Sequence, residues 1–434
     1  MRSHYLYQTV FAQLRTLKGS VTVALSGGVD SIVLLHIVAE CQLQLPELSI
    51  KALHVNHGLS EHAMIWQQFC QDTCQRLNVP FICQQVDVVR KNRQSLEAIA
   101  REQRYQAFAT HTDPDSIILL GQHQDDQVET FFLHLKRGSG LAGLSAMAME
   151  TPFVDGRRLI RPFLHTSRND IEAFCKQYSL QHIEDESNAD IAFDRNFLRH
   201  QILPLLNQRF TGFDHCVARS AQLLSEQQQL IDEISASDYA DVADGHELSI
   251  NALLNLSDIR QRNVFRYWLN QYDFLMPSKA LTEQVFSQLS STKTDASLTI
   301  KLSHGLLRRY NQKLYLVRPE AELADQSLVT NQHNLADGRT LHWLQGQGIR
   351  AAFPHEVVSV QFANMKALIK PSNKPGRNTV KHWLKDVKVP SWQRDRVPLI
   401  FYNHELVQIV GYFISELHQS SEGGKWIIDD AKRN

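Results

Sequence analysis

A chain of 434 residues, 43% hydrophobic and 21% charged, is long enough for roughly three domains around sizeable cores. No apolar run approaches the ~20 residues of a membrane span, and the first residues, MRSHYLYQTVFAQL, lack a long apolar h-region, so no secretory signal is evident and a cytoplasmic protein is expected. A net charge of −1 argues against a uniformly basic nucleic-acid binder, although a whole-chain sum hides local asymmetry.

The first informative stretch is VTVALSGGVDSIVLLH, Val21 to His36. Val21 to Leu25 is β-branched or apolar and reads as a buried strand; Ile32 to Ala39 carries no breaker and reads as a helix. Between them, Gly27 and Gly28 permit positive φ and close backbone approach, while the helix after Val29 points unpaired N–H groups and its positive dipole end into the loop. That is an anion site. Ser26 and Ser31 add hydroxyls, and Asp30, which would repel a bare phosphate, fits a loop in which a divalent cation bridges it to phosphates. A capped tight turn would account for a bare Gly-Gly pair, but not for the whole of SGGVDS. The Lys of a Walker loop is missing, and so is Gly-x-Gly-x-x-Gly.

Further strands are expected at IKALHVNH, FICQQVDV and DSIILLGQH, with helical stretches between them. This alternation over residues 1–215 predicts an α/β domain with a doubly wound parallel sheet. His54 and His57 read as strand-end histidines that pack or shape a pocket. After the fourth strand, HQDDQVET crowds Asp125, Asp126 and Glu129 into the first turns of a helix, with Asp126 and Glu129 three apart on one face. Acidic residues there stabilise the helix dipole and often do nothing else. At the carboxyl end of a sheet strand they also stand where an open α/β sheet binds its ligand, and they suit magnesium or an amino-acid ammonium group.

From 216 to 318 the pattern is mainly helical, then SLTIKLSHGLLRRYNQKLYLVRPE reads as strands with turns at His304-Gly305 and Asn311-Gln312. Residues 319–337 read as an acidic, polar linker, and 338–434 as a small α+β module. Lys366 to Arg396 holds nine cations, Lys381 and Lys385 among them, against Asp386 and Asp395, with Trp383 and Trp392 interleaved for stacking on bases: a phosphate-tracking surface. The six cysteines, without C-x-x-C, read as free thiols.

SGGVDS resembles the pyrophosphate loop of the N-type ATP pyrophosphatases, which cleave ATP between the α and β phosphates and adenylate a substrate. In order, SGGVDS, HVNHGLS, EAIAREQRYQAF, HQDDQVET, KRGSGLAGLSAM, IRPFL and DESNADIAFDRNFLRHQILPLL resemble the tRNA(Ile)-lysidine synthetases across the first domain. One departure is Ser60, where many members carry a basic residue. The resemblance implies ATP-dependent ligation of L-lysine to the wobble cytidine of a CAU-anticodon tRNA(Ile) through an adenylated base. It implies that Ser26, Gly27, Gly28, Val29, Asp30 and Ser31 hold ATP, with Asp30 on the metal, and that Arg101 contacts ATP or substrate. Asp126 and Glu129 would bind lysine, while Arg195 and Arg199 would contact phosphates or tRNA. A homodimer is left open as the assembly. The alternative is a tRNA thiolase of the same superfamily, against which the missing C-x-x-C speaks.

Overall fold

Four parallel strands form where the apolar runs fall. The order along the chain is α1 (Tyr5–Leu14), β1 (Gly19–Ala24), α2 (Val29–Gln42), β2 (Leu48–Asn56), α3 (Ala63–Arg76), β3 (Phe81–Gln85), α4 (Leu96–His111) and β4 (Ile117–Leu119). There follow α5 (Gln124–Lys136), α6 (Leu141–Leu144), β5 (Glu150–Pro152), β6 (Arg158–Ile160) and α7 (Arg168–Gln177). The computed structural model describes residues 1–58, 60–86, 96–291 and 298–429, so the end of the third expected strand, residues 87–88, lies outside the described residues. The chain divides into two units, Met1–Asp232 and Glu233–Asn434.

In the first unit the sheet order is β3-β2-β1-β4-β6-β5, parallel throughout except for the β5–β6 edge hairpin, which the sequence reading missed. Period-two alternation decides which side each residue covers. Val21, Val23, Ile50 and Ile117 face the core built with α1, α2 and α7, while Leu53, Ile118 and Leu159 face Phe108 and Tyr105 of α4. The chain moves outward from β1 to β3, then returns to place β4 on the other side of β1. Their carboxyl ends therefore flank a topological switch point, where a doubly wound sheet opens a crevice. Beyond α7, the short α8 (Asp194–Phe197) passes through a π-helical turn, Leu198–Ile202, into α9 (Leu203–Arg209) and then the 30-residue α10 (Phe213–Val242).

The second unit begins within α10 and continues with β7 (Ala243–Asp244), β8 (Glu247–Ser249), α11 (Ile250–Leu254), α12 (Asp258–Gln271) and α13 (Lys279–Ser291). These are followed by β9 (Thr299–Leu302), β10 (Gly305–Tyr310) and β11 (Lys313–Val317), in a sheet of order β7-β8-β11-β10-β9. Trp268 and Phe265 of α12 are sealed against Leu307 and Leu314. The expected turn between β10 and β11 forms with positive φ at Asn311 (47°) and Gln312 (61°), the pair of left-handed residues a two-residue hairpin demands.

The remaining elements are β12 (Gln326–Ser327), β13 (Gln332–Asn334), β14 (Thr340–Ile349), β15 (Val358–Gln361), β16 (Leu368–Ile369), β17 (Asn378–Thr379), α14 (Val380–Asp386) and α15 (Ser391–Arg394). The last strands are β18 (Leu399–Tyr402), β19 (Glu405–Ile409), β20 (Phe413–Ile414), β21 (Gln419–Ser420) and β22 (Gly424–Asp429). Here the reading of 319–337 as a linker fails in part. β12 pairs with β15 and β13 with β14, and Leu328 and Leu335 are buried in the module's core. Few apolar residues suffice there because backbone pairing to longer strands does the ordering.

The reading of the two tryptophans as base-stacking platforms also fails. Trp383 is buried and donates its indole N–H to the Ile369 carbonyl at 3.1 Å. Trp392 stands edge-on to Tyr310 and Tyr315 with the Arg308 guanidinium over its ring, and Arg394 reaches the Tyr310 hydroxyl at 3.3 Å. An aromatic cluster thus joins the β10–β11 hairpin to α15.

In the same module Arg350 grips Glu356 through two parallel hydrogen bonds, 2.6 and 2.7 Å, and holds its carboxyl at a pKa of about 2. A depressed carboxyl adds stability that is complete above its unfolded value near 4.5 and is lost as pH falls through about 2. Unfolding midpoints should therefore decline across that window, and Glu356→Gln should flatten the decline. An unchanged slope in Glu356→Gln would show that the pair contributes nothing.

Candidate active site

The glycine loop leaves β1 at Leu25 and enters α2 at Val29. Gly27 has φ of +92°, the left-handed backbone that favours glycine, and a Cβ there would press on the Ile183 side-chain tip. The Ile183 N–H donates to the Gly27 carbonyl at 2.9 Å, which ties the segment after α7 to the loop. Ser31 organises the loop from within: its hydroxyl accepts from the N–H groups of Ser26 (3.2 Å) and Gly27 (3.1 Å) and donates to the Gly28 carbonyl (3.0 Å). The side chain of Val29 is buried in the core, which leaves only its backbone to face the loop.

Across the switch point, the chain beyond β4 passes through Gly121, where a Cβ would stand 3.1–3.3 Å from backbone atoms of Asp30 and Ser31. Glycine here lets the segment after β4 pass close against the first turn of α2. His123, 2% exposed, caps α5 amid carboxylates, with Nε2 3.7 Å from Asp30 and 3.5 Å from Asp126. Asp126 accepts from the His123 N–H at 3.0 Å. Asp125 turns away, accepting from the Arg168 N–H at 3.0 Å at the start of α7. Asp30 Oδ1 is buried and has no hydrogen-bond partner, and burial pushes this carboxyl above its ordinary value against the pull of His123 and Arg168.

A cleft of about 700 Å³ opens over these groups. Ser26, Asp30, Ser31, Arg101, Asp126, Arg195 and Arg199 all line it, so the structure brings most of the predicted residues together. Arg101 lies over the Tyr105 ring at 4.9 Å and donates to its hydroxyl at 3.0 Å. His54 Nδ1 is 2.9 Å from the Leu25 carbonyl, as suits a packed histidine. Burial, Arg104 and His54 push the His57 pKa down to about 4, which leaves that ring neutral beside the cleft at physiological pH.

Two expected roles meet a different geometry. Glu129 is fully buried beneath the cleft rather than open to it, and Arg199 takes both its oxygens, Nε at 2.6 Å and Nη2 at 2.9 Å. Burial pushes its carboxyl up while Arg199 opposes the shift. An ammonium group would have to displace a guanidinium to reach it. Arg195 and Arg199, expected to contact phosphates or tRNA, are turned into the cleft, 3.5 Å from Glu129 and 3.6 Å from Asp126 respectively. Arg199 sits on the π-helical turn just ahead of Pro204, whose missing N–H relaxes the ladder there. The sequence reading assigned no role to Gln122 or Arg161, although both lie inside runs it quoted, DSIILLGQH and IRPFL.

Lys381 and Lys385 are exposed on α14, four residues apart. Lys370, Lys374 and Arg396 are instead engaged by Glu416, Asp386 and Asp337, so the open part of the basic stretch is narrower than its charge count.

A glycine loop at the switch point of a doubly wound sheet, facing a carboxylate–arginine wall, defines a PP-loop nucleotide-binding protein, and the PP-loop domain model matches residues 3–206. The TilS substrate binding domain matches residues 248–315 and the TilS substrate C-terminal domain residues 358–429. The tRNA(Ile)-lysidine synthase of Serratia proteamaculans is 39% identical over 92% of this chain and 93% of its own length. That of Pectobacterium atrosepticum is 40% identical over 96% and 95%. This chain belongs to the tRNA(Ile)-lysidine synthase family. Among solved structures, the U34-tRNA thiolase NcsA from Methanococcus maripaludis aligns at a TM-score of 0.42 and 16% identity, over 51% of this chain and 78% of that one, too slight a likeness to argue from.

Proposed function

We propose that this protein ligates L-lysine to the 2-position of the wobble cytidine of CAU-anticodon tRNA(Ile) at the expense of ATP. Family membership over nearly the full chain carries the reading, and the cleft supplies groups that fit it. The cytosine 2-oxygen attacks the α-phosphorus and pyrophosphate leaves. The lysine ε-amine then attacks C2, a C–N bond forms, the C–O bond breaks with AMP departing, and the amine gives up a proton.

In this scheme the loop N–H groups and the start of α2 hold the pyrophosphate end of ATP, and Arg101 and Arg195 offer charge to the phosphates. The orphaned, buried Asp30 Oδ1 fits a magnesium ion shared with phosphate oxygens, which would supply charge neutralisation there. Asp126 receives the α-amino group of lysine. Glu129 acts one layer below, as the anchor that aims Arg199. A thiolase is the weaker reading: Cys70 and Cys74 are buried, with pKa values pushed up to about 12, and no cysteine lines the cleft among the described residues.

The direct test is incorporation of labelled lysine into a CAU-anticodon tRNA(Ile) transcript with ATP and magnesium. Pyrophosphate release without lysine incorporation would retain adenylation and reject lysine as the nucleophile.

The exposed pair on α14 is the proposed tRNA contact. Converting Lys381 and Lys385 together to alanine should weaken tRNA binding and reduce the slope of log K against log salt by about 1.4–1.8, with ATP affinity unchanged. Filter binding over a salt series measures it, and an unaltered slope would remove α14 from the interface.

A further inference from the structure

Gln122 follows Gly121 at the end of β4 and lines the cleft between the glycine loop and Asp126. Its side-chain oxygen accepts from Arg161 Nε at 2.7 Å. Arg161 lies directly after β6, is 4% exposed, and is pinned on its other side by the Ala148 carbonyl at 2.8 Å and the Thr151 hydroxyl at 3.0 Å.

Arginine donates and never accepts, so the guanidinium dictates which end of the carboxamide faces it. The oxygen of Gln122 must point to Arg161, and the NH2 must point away from it. A buried cation held at three points thus removes the amide flip that a glutamine otherwise enjoys, and presents a neutral donor of fixed orientation to the cleft.

We propose that Gln122 donates this hydrogen bond to a non-bridging oxygen of the α-phosphoryl group, with Arg161 as its positioning residue. The inference rests on the ligase reading above. The adenylation step brings two acceptor oxygens together, that of the target base and that of the α-phosphate. The base oxygen is the nucleophile of the first step, and a donor on it would tie up the electron pair that attacks. The α-phosphoryl oxygens gain charge in the first step and again as AMP leaves in the second, so a preorganised donor lowers both barriers only if it is aimed there.

The test is single-turnover pyrophosphate release on a CAU-anticodon tRNA(Ile) transcript, with ATP affinity measured separately by equilibrium dialysis. Gln122→Met should slow release by about 10- to 100-fold while ATP affinity moves by less than about threefold, since the bond strengthens in the transition state. Gln122→Glu keeps the acceptor that Arg161 needs and loses the donor, so it should fold normally and also be slow. ATP carrying sulfur at one α-oxygen gives the readout that a structural role would not move. Wild type should be slowed by one diastereomer more than by the other, and Gln122→Met should lose that difference. A Gln122→Met rate within twofold of wild type, or an undiminished diastereomer preference, would overturn the proposal. So would ATP affinity falling in step with the rate. Wild-type enzyme that releases no pyrophosphate with the transcript would overturn the ligase reading instead, and this inference with it.

Discussion

Glu129→Ala will destabilise the first unit by about 3 kcal/mol, the low end of the ~3–5 kcal/mol that follows removal of one partner from a buried ion pair. The low end applies because Arg199 remains 22% exposed and recovers some hydration when left alone. Burial pushes the Glu129 carboxyl up and Arg199 opposes that shift, so desolvation offsets part of the attraction within the pair. The cost comes from the guanidinium left behind. Glu129→Gln, which retains an acceptor oxygen, should lose less. Urea unfolding followed by amide hydrogen exchange in the first unit measures both, and equal midpoints for wild type and Glu129→Ala would refute the anchoring role. Lysine ligation should fall in the same variants even at temperatures where they remain folded, because Arg199 loses its aim.

Asp30→Ala should move stability and activity in opposite directions. Under the proposal that Asp30 holds magnesium, the variant forgoes several kcal/mol of transition-state stabilisation, which at ~1.4 kcal/mol per decade corresponds to pyrophosphate release slowed on the order of 10³-fold. Stability should rise instead. Burial pushes the Asp30 carboxyl above its ordinary 3.8, so its ionisation at neutral pH works against the folded state, and that penalty fades as pH falls through the raised folded value and is gone below 3.8. The stability gain in Asp30→Ala should therefore be present at pH 7 and vanish in acid. Thermal melts at both pH values check this, and a variant less stable than wild type at pH 7 would contradict it.

The sheet and its glycine loop were legible because local chemistry decides them. Val21, Val23 and Ile50 alternate sides by period, and SGGVDS leaves its backbone few alternatives. The carboxylate cluster was legible in part. Spacing places Asp126 and Glu129 on one face of α5, and Arg199 does meet both, but spacing does not say that a π-helical turn seventy residues later will bury one and leave the other in the cleft. The Gln122–Arg161 bond lies beyond sequence reading for the same reason: it joins the ends of two strands, β4 and β6, whose adjacency depends on the crossover. Trp383 and Leu335 misled in opposite senses, one an aromatic in a basic run that turned inward, the other an apolar residue in a polar run that closed a core.

Trp392, wedged against Tyr310 and Tyr315, fixes the distance between two parts of the second unit. Had the short stretch between β11 and β12 been their only connection, the separation of α14 from the β10–β11 hairpin would vary as a chain's end-to-end length varies. The aromatic cluster replaces that spread with a single value. Anything that spans both α14 and the hairpin must then match one set length, by the spacing of its contacts as well as by their charge.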